Sequence, residues 1–314
     1  MMLRKFVFAL LSVAAAVSVN AQEDLLDLLG EEQAGPVYST ASFKTTRVIN
    51  GQSIENVGHG VLDFKIGHRF GTLEEGITNF FGLDQSSVRI GFDYGVTDRL
   101  MIGIGRSGYQ KTVDGFAKYK IFRQCESGCG MPITASFVLG SSITTLVAQE
   151  VPWYAPGQED YFSHRLSYNM QLVIGRKFSE GISLQITPGV IHRNLTTYSD
   201  DKNDVINIGI GGRVKLSKRV AFSAEYFYVL PDQMHEYSAD EVRANPNLKP
   251  TNSLSVGFDI ETGGHVFQVH FTNSTGMFER AFITETTNHW DKREIHYGFN
   301  ISRVFTVHTP KKKS

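Results

Sequence analysis

Residues 205–216 read Val-Ile-Asn-Ile-Gly-Ile-Gly-Gly-Arg-Val-Lys-Leu. Ile206, Ile208, Ile210, Val214 and Leu216 fall on one side of an extended chain, and Asn207, Gly209, Gly211, Arg213 and Lys215 on the other. Successive side chains of a strand point to opposite faces, so one face here suits hydrocarbon and the other suits water or a polar interior. The alternation recurs in segments 62–70, 88–96, 100–104, 117–121, 133–139, 166–174, 182–187, 205–216, 220–228, 254–260, 267–271 and 295–305. An even number of such segments is the pattern of a single-chain outer-membrane barrel. A soluble β-sandwich would keep its outer face polar. Here Tyr and Phe gather towards the ends of wholly apolar faces, as aromatic girdles do at lipid interfaces. The expected fold is all-β, a transmembrane antiparallel up-and-down β-barrel of about 12 strands over residues 60–305.

The connections support this reading. Tight polar links at 97–99, 179–181, 217–219 and 261–264 alternate with long ones at 142–164, 192–204, 230–252 and 274–292. Periplasmic turns and extracellular loops differ in the same way. The link at 107–112 is short for its expected extracellular side. Phe43–Ile49 alternates poorly and is rich in Thr, Lys and Arg. It is expected to be a periplasmic strand or a plug-like insert, not a spanning strand. Pro188 lies inside a strand segment; it cannot donate to a ladder, so a bulge is expected there.

Outside the barrel, residues 1–21 have the layout of a cleaved signal peptide, with Arg4 and Lys5 before an apolar run and Ala21 at the cut. Residues 22–59 are expected to form a periplasmic extension, acidic and Leu-rich at Gln22–Glu32, and 306–314 a basic tail. The predicted location is the outer membrane of a Gram-negative bacterium. Net charge of −1 argues against a nucleic-acid partner. The expected partners are outer-membrane lipid, small solutes, and a periplasmic or surface protein.

By face parity the lumen is expected to carry Lys65, Arg69, Arg89, Arg106, Lys118, Lys120, Arg165, Arg213 and Lys215, against Asp63, Asp93, Glu225 and Asp259. A basic lining favours anions, which points to a narrow, porin-like channel for small polar or anionic solutes. The opposing reading is that these charges pair across a filled lumen. Two alternatives belong to other classes. One is a lipid hydrolase, because His270 and Thr272 share a strand face with a base near a hydroxyl; no orienting partner is identifiable, and no catalytic residue is assigned. The other is a scaffold whose loops, with Trp153 and Tyr154 among them, hold a protein partner. Cys125 and Cys129 are expected to form a disulfide in an oxidising compartment. The histidines show no ligand spacing, so neither a metal nor an organic cofactor is expected.

Phe43-Lys44-Thr45-Thr46-Arg47, Gly67-His68-Arg69-Phe70-Gly71 and His270-Phe271-Thr272-Asn273-Ser274 together resemble an uncharacterised β-barrel family of Bacteroidetes outer membranes, a domain-of-unknown-function family. The signal ending in Ala21-Gln22 fits the same source. The likeness covers nearly all of the exported chain. It implies the barrel fold and carries no activity with it.

Overall fold

The computed structural model describes residues 35–155, 157–245 and 248–309. The expected signal peptide, the acidic stretch 22–32 and the tail lysines 311–313 lie outside the described residues.

Twelve strands form one closed antiparallel barrel. They are β1 (Val61–Thr72), β2 (Ser86–Gly95), β3 (Leu100–Ser107), β4 (Thr112–Phe122), β5 (Thr134–Thr144) and β6 (Leu166–Lys177). They continue as β7 (Ile182–Arg193), β8 (Asp204–Lys215), β9 (Val220–Val229), β10 (Ser253–Thr262), β11 (His265–Thr272) and β12 (His296–Thr306). Each pairs with its neighbours in sequence, and β12 closes on β1, from Thr306 opposite Val61 to His296 opposite Thr72. Closure leaves no strand edge unpaired, which hydrocarbon requires because it offers no hydrogen bonds to a bare backbone. The alternation is visible as burial: along β8, Ile206, Ile208 and Ile210 are exposed while Val205, Asn207 and Gly209 are buried.

Outward aromatics form two bands. Phe70, Tyr168, Tyr226, Tyr228 and Tyr297 stand near the end that carries the long loops. Tyr119, Phe122, Phe178 and Phe305 stand near the end with the short turns. Rings of this kind sit at the two membrane interfaces.

One local expectation needs correction. Pro188 produces no bulge. The register between β7 and β6 is the same on both sides of it, and pairing lapses only opposite Leu172 and Val173; the ladder to β8 runs through Ile208–Pro188 unbroken. The missing N–H is absorbed as a gap on one side. The register shifts lie elsewhere, between His296 and Gly298 and between Lys120 and Phe122. Residues 43–49 join no spanning ladder. A separate small unit pairs Val37–Tyr38 with Cys125–Ser127. In it Cys125 and Cys129 are disulfide-bonded, with Cα atoms 5.9 Å apart.

A lipid-facing wall has a depth-dependent tolerance for charge. Ile210→Arg, mid-strand and outward, is expected to cost about 2–4 kcal/mol, and Leu216→Arg at the short-turn end about 0–1 kcal/mol. Denaturant unfolding of the barrel in phospholipid vesicles measures both. Equal costs would contradict an acyl environment.

Candidate functional site

The barrel interior is filled by two inserts. The first is the chain before β1. Residues 39–58 bend back on themselves, with Val48 N–H donating to Gly51 O at 2.8 Å and Ser53 N–H to Thr46 O at 3.0 Å. Phe43, Val48, Ile49 and Ile54 are all buried. Of the two readings open for 43–49, the structure shows the plug-like insert.

Polar wall side chains grip this insert by its backbone. The Glu225 carboxylate on β9 accepts from three successive amides, Ile49 at 3.1 Å, Asn50 at 2.7 Å and Gly51 at 3.0 Å. Consecutive N–H groups in a turn make a natural anion seat. Gln185 on β7 pairs both ways, donating to Gln52 O at 2.7 Å and accepting from Ile54 N–H at 3.1 Å. Gln268 donates to Val48 O and Asn300 to Ile49 O. Gly51 is required by space, since a Cβ there would stand 2.5 Å from the Phe227 ring.

The second insert is the long connection after β11. Its short helix α2 (Glu279–Thr284; α1 is Ala239–Ala244 in the 230–252 loop) is buried along its whole length. Phe282 and Ile283 pack with Ile191, Val205 and Phe227, inward-facing residues near the long-loop end. A matching apolar cluster, Met101, Phe116, Val138 and Val173, receives Phe43, Val48 and Ile54 of the first insert. The inserts meet at Arg47 and Glu279, 2.7 Å apart, with Gln52 also donating to Glu279 at 3.3 Å. The short 107–112 link now has a role: Gln110 reaches the chain around α2, bonding Arg280 at 2.5 Å and Glu285 at 3.0 Å.

The expected lumen residues divide by position. Lys118 donates to Ser53 O, Gln52 Oε1 and Thr46 O. Arg213 binds Ala41 O and Ser42 O, and Arg69 binds Asn50 Oδ1. Lys65 pairs with Asp93 at 2.8 Å and Asp63 at 3.5 Å. Asp259 accepts from Ser223 and Gln268. Lys120 faces inward near the short turns, beside a void it shares with Glu55. Arg89 pairs with Asp114 at 2.5 and 2.9 Å. Asp114 escaped the sequence reading because β4 begins five residues before the segment assigned to it.

Three positions are corrected. Arg106 continues the outward row of Ile102 and Ile104; it is exposed and bonds Lys111 O and Thr145 at the loop end. Arg165 precedes β6 at the long-loop rim, where it pairs with Asp160 at 2.6 Å and holds that carboxyl below its usual range. Lys215 is exposed at the opposite rim. With these removed and Asp114 added, the basic excess of the lumen largely disappears.

His270 and Thr272 both point inward and are fully buried. The Thr272 hydroxyl accepts from Ser255 Oγ at 2.9 Å and Ser274 N–H at 3.1 Å. It is held by these groups rather than by His270, so the suggested base–hydroxyl pair is not assembled.

The remaining space is discontinuous in scale. Voids of about 330 and 320 Å³ lie at the short-turn end and one of about 230 Å³ at the long-loop mouth. Between them, beside Arg47 and Arg69, the void is about 50 Å³, room for a few waters.

A family model described as "Membrane bound beta barrel domain (DUF5777)" matches residues 43–305, beginning within the first insert. No curated protein matches the chain. Among solved structures the chain is similar to the KdgM porin, at 8% identity and TM-score 0.43 over 78% of this chain and 99% of that one. It is also similar to an outer membrane channel from Pseudomonas putida F1, at 10% identity and TM-score 0.44 over 80% and 98%. A third is the CymD monoaromatic hydrocarbon channel, at 12% identity and TM-score 0.33 over 79% and 88%.

Removing the Glu225 carboxylate while keeping its bulk approximately, as in Glu225→Leu, orphans three amides at about 1–3 kcal/mol each. The first insert is then expected to open, and trypsin cleavage after Lys44 and Arg47 to quicken by at least about tenfold, since about 1.4 kcal/mol is a factor of ten. Glu225→Gln, which keeps an acceptor, is expected to fall between the two.

Proposed function

The chain belongs to the membrane-bound β-barrel domain family, and on that premise we propose that it is an outer-membrane conduit held shut by its own inserts. In this reading the short turns face the periplasm and the long loops face outward, as is general for such barrels. The first insert then enters from the periplasm, and the apolar belt is surrounded by outer-membrane lipid. Small polar or anionic solutes pass when that insert withdraws.

The observation that carries the reading is the kind of contact between insert and wall. Most of the grip is hydrogen bonding to backbone, by Glu225, Gln185, Gln268, Lys118 and Arg213. Each such bond nets about 0.5–1.5 kcal/mol between neutral groups and about 1.5–3 kcal/mol to a charged one, because both partners rehydrate when parted. The wall left behind is hydrophilic outside the apolar patch of Met101, Phe116, Val138 and Val173. Lys118, Arg213 and Arg69 would then face water without their present acceptors, against one freed carboxylate, Glu225, and the net excess of cations favours anions. A greasy plug in a greasy bore would lack both properties.

Planar-bilayer recording tests this. The intact chain is expected to conduct rarely. Deletion of residues 39–56 is expected to give steady conductance with mild anion preference, and Lys118→Glu in that background to reverse it. Arg47→Ala, which parts the inserts without deleting either, is expected to raise the frequency of openings. If both variants keep the heat-modifiable migration of a folded barrel and neither conducts, the conduit reading is wrong.

A further inference from the structure

The void at the long-loop mouth has a constructed wall. Tyr198 and His235, from two different loops, stack with centroids 4.1 Å apart and planes 12° apart. Tyr237 sets its edge against both, at 5.6 and 4.8 Å. Asp200 holds the His235 ring at 2.7 Å, and Asp201 accepts the His235 N–H at 2.8 Å. Two loops that would otherwise move separately are tied into one aromatic surface.

The facing side is charged and balanced. Arg280 of α2 lies over the Trp153 ring at 4.2 Å and pairs with Glu285 at 3.0 Å. Arg193 stands 3.8 Å from Asp201, their side chains only 12% and 7% exposed. The Arg193 Nε is buried with no hydrogen-bond partner among the described residues. Two guanidinium groups therefore meet two carboxylates around a void of about 230 Å³.

That balance selects against ions. An anion site would leave its cations unmatched, and a cation site its carboxylates. This mouth offers donors and acceptors together, beside flat rings with an apolar face. Pockets of mixed aromatic and convergent polar lining bind ligands that are themselves part apolar and part polar. A sugar ring has that character: hydroxyls around its edge and a C–H face without them.

We propose that the long-loop mouth binds a neutral saccharide, its ring face on one of the mutually perpendicular Tyr198 and Tyr237 rings and its edge against the other, with its hydroxyls on Arg193 and Asp201. This goes beyond the conduit reading, since binding here stands whether or not the barrel conducts.

The test uses the full chain in a detergent without a sugar headgroup. It is titrated with maltose, cellobiose and diacetylchitobiose, with glucuronate and glucosamine as charged controls. Calorimetry and tryptophan fluorescence report binding, Trp153 lying on the cavity wall. At least one neutral disaccharide is expected to bind, and both charged sugars at least about tenfold more weakly. Tyr198→Ala and Tyr237→Ala are each expected to weaken binding by about tenfold through lost stacking, while Tyr198→Phe keeps it. Asp201→Asn, which preserves an acceptor for the His235 amide, is expected to weaken it without altering heat-modifiable migration. The proposal is overturned if no neutral disaccharide binds the folded chain, if a charged sugar binds better, or if the folded variants bind as the parent does.

Discussion

A charge enclosed in a protein must be matched, because burial removes the water that solvated it. The closed wall of this barrel turns Asp63, Asp93, Asp114, Glu225 and Asp259 inward, all but out of contact with solvent. Those carboxylates dictate what can fill the bore. Glu225 is the clearest case: among the described residues no lysine or arginine sits on its oxygens, and the insert presents three backbone N–H groups instead. The bend at 48–51 is therefore shaped by the wall as much as by its own sequence. Its tight approach to Phe227 leaves only glycine at position 51.

The rest of the interior follows the same accounting of polar groups. Where wall carboxylates meet wall cations, as in Arg89 with Asp114 and Lys65 with Asp93, the lumen is neutral before any insert arrives. Where wall cations lack a wall partner, as at Lys118 and Arg213, carbonyl oxygens of residues 41, 42, 46 and 53 supply acceptors. Apolar packing is confined to two patches, one for each insert. The two inserts thus occupy different depths and touch through Arg47 and Glu279.

The wall was legible in the sequence because strand periodicity is local. Every segment recognised by alternation coincides with a spanning strand, and the tight turns fall where Gly and polar residues cluster. The contents were much less legible. Arg106 shares the outward row of Ile102 and Ile104, so placing it in the lumen runs against parity, and Asp114 is missed because β4 begins before the segment assigned to it. Residues 43–49 carry no repeating pattern, because their partners are wall side chains scattered over seven strands' worth of sequence. One signal was present but unread: Met101, Phe116, Val138, Val173, Ile191, Val205 and Phe227 interrupt the polar face with hydrophobes. In a water-filled bore those residues would be costly, so they mark where something dry must dock. The family match, opening at residue 43 rather than at the first strand, agrees that the insert belongs to the domain.

The joint between insert and wall is a clamp. Gly60 donates to Gly95 O, and its own carbonyl takes the amides of Val307 and His308. Its φ of +75° and the 2.0 Å that would separate a Cβ from His308 O leave no alternative residue. Three hydrogen bonds from two other parts of the chain thus converge on Gly60, immediately before β1. Strain on residues 39–58 is therefore grounded at that point, in the seam between first and last strands, so the cylinder keeps its register whatever the insert does.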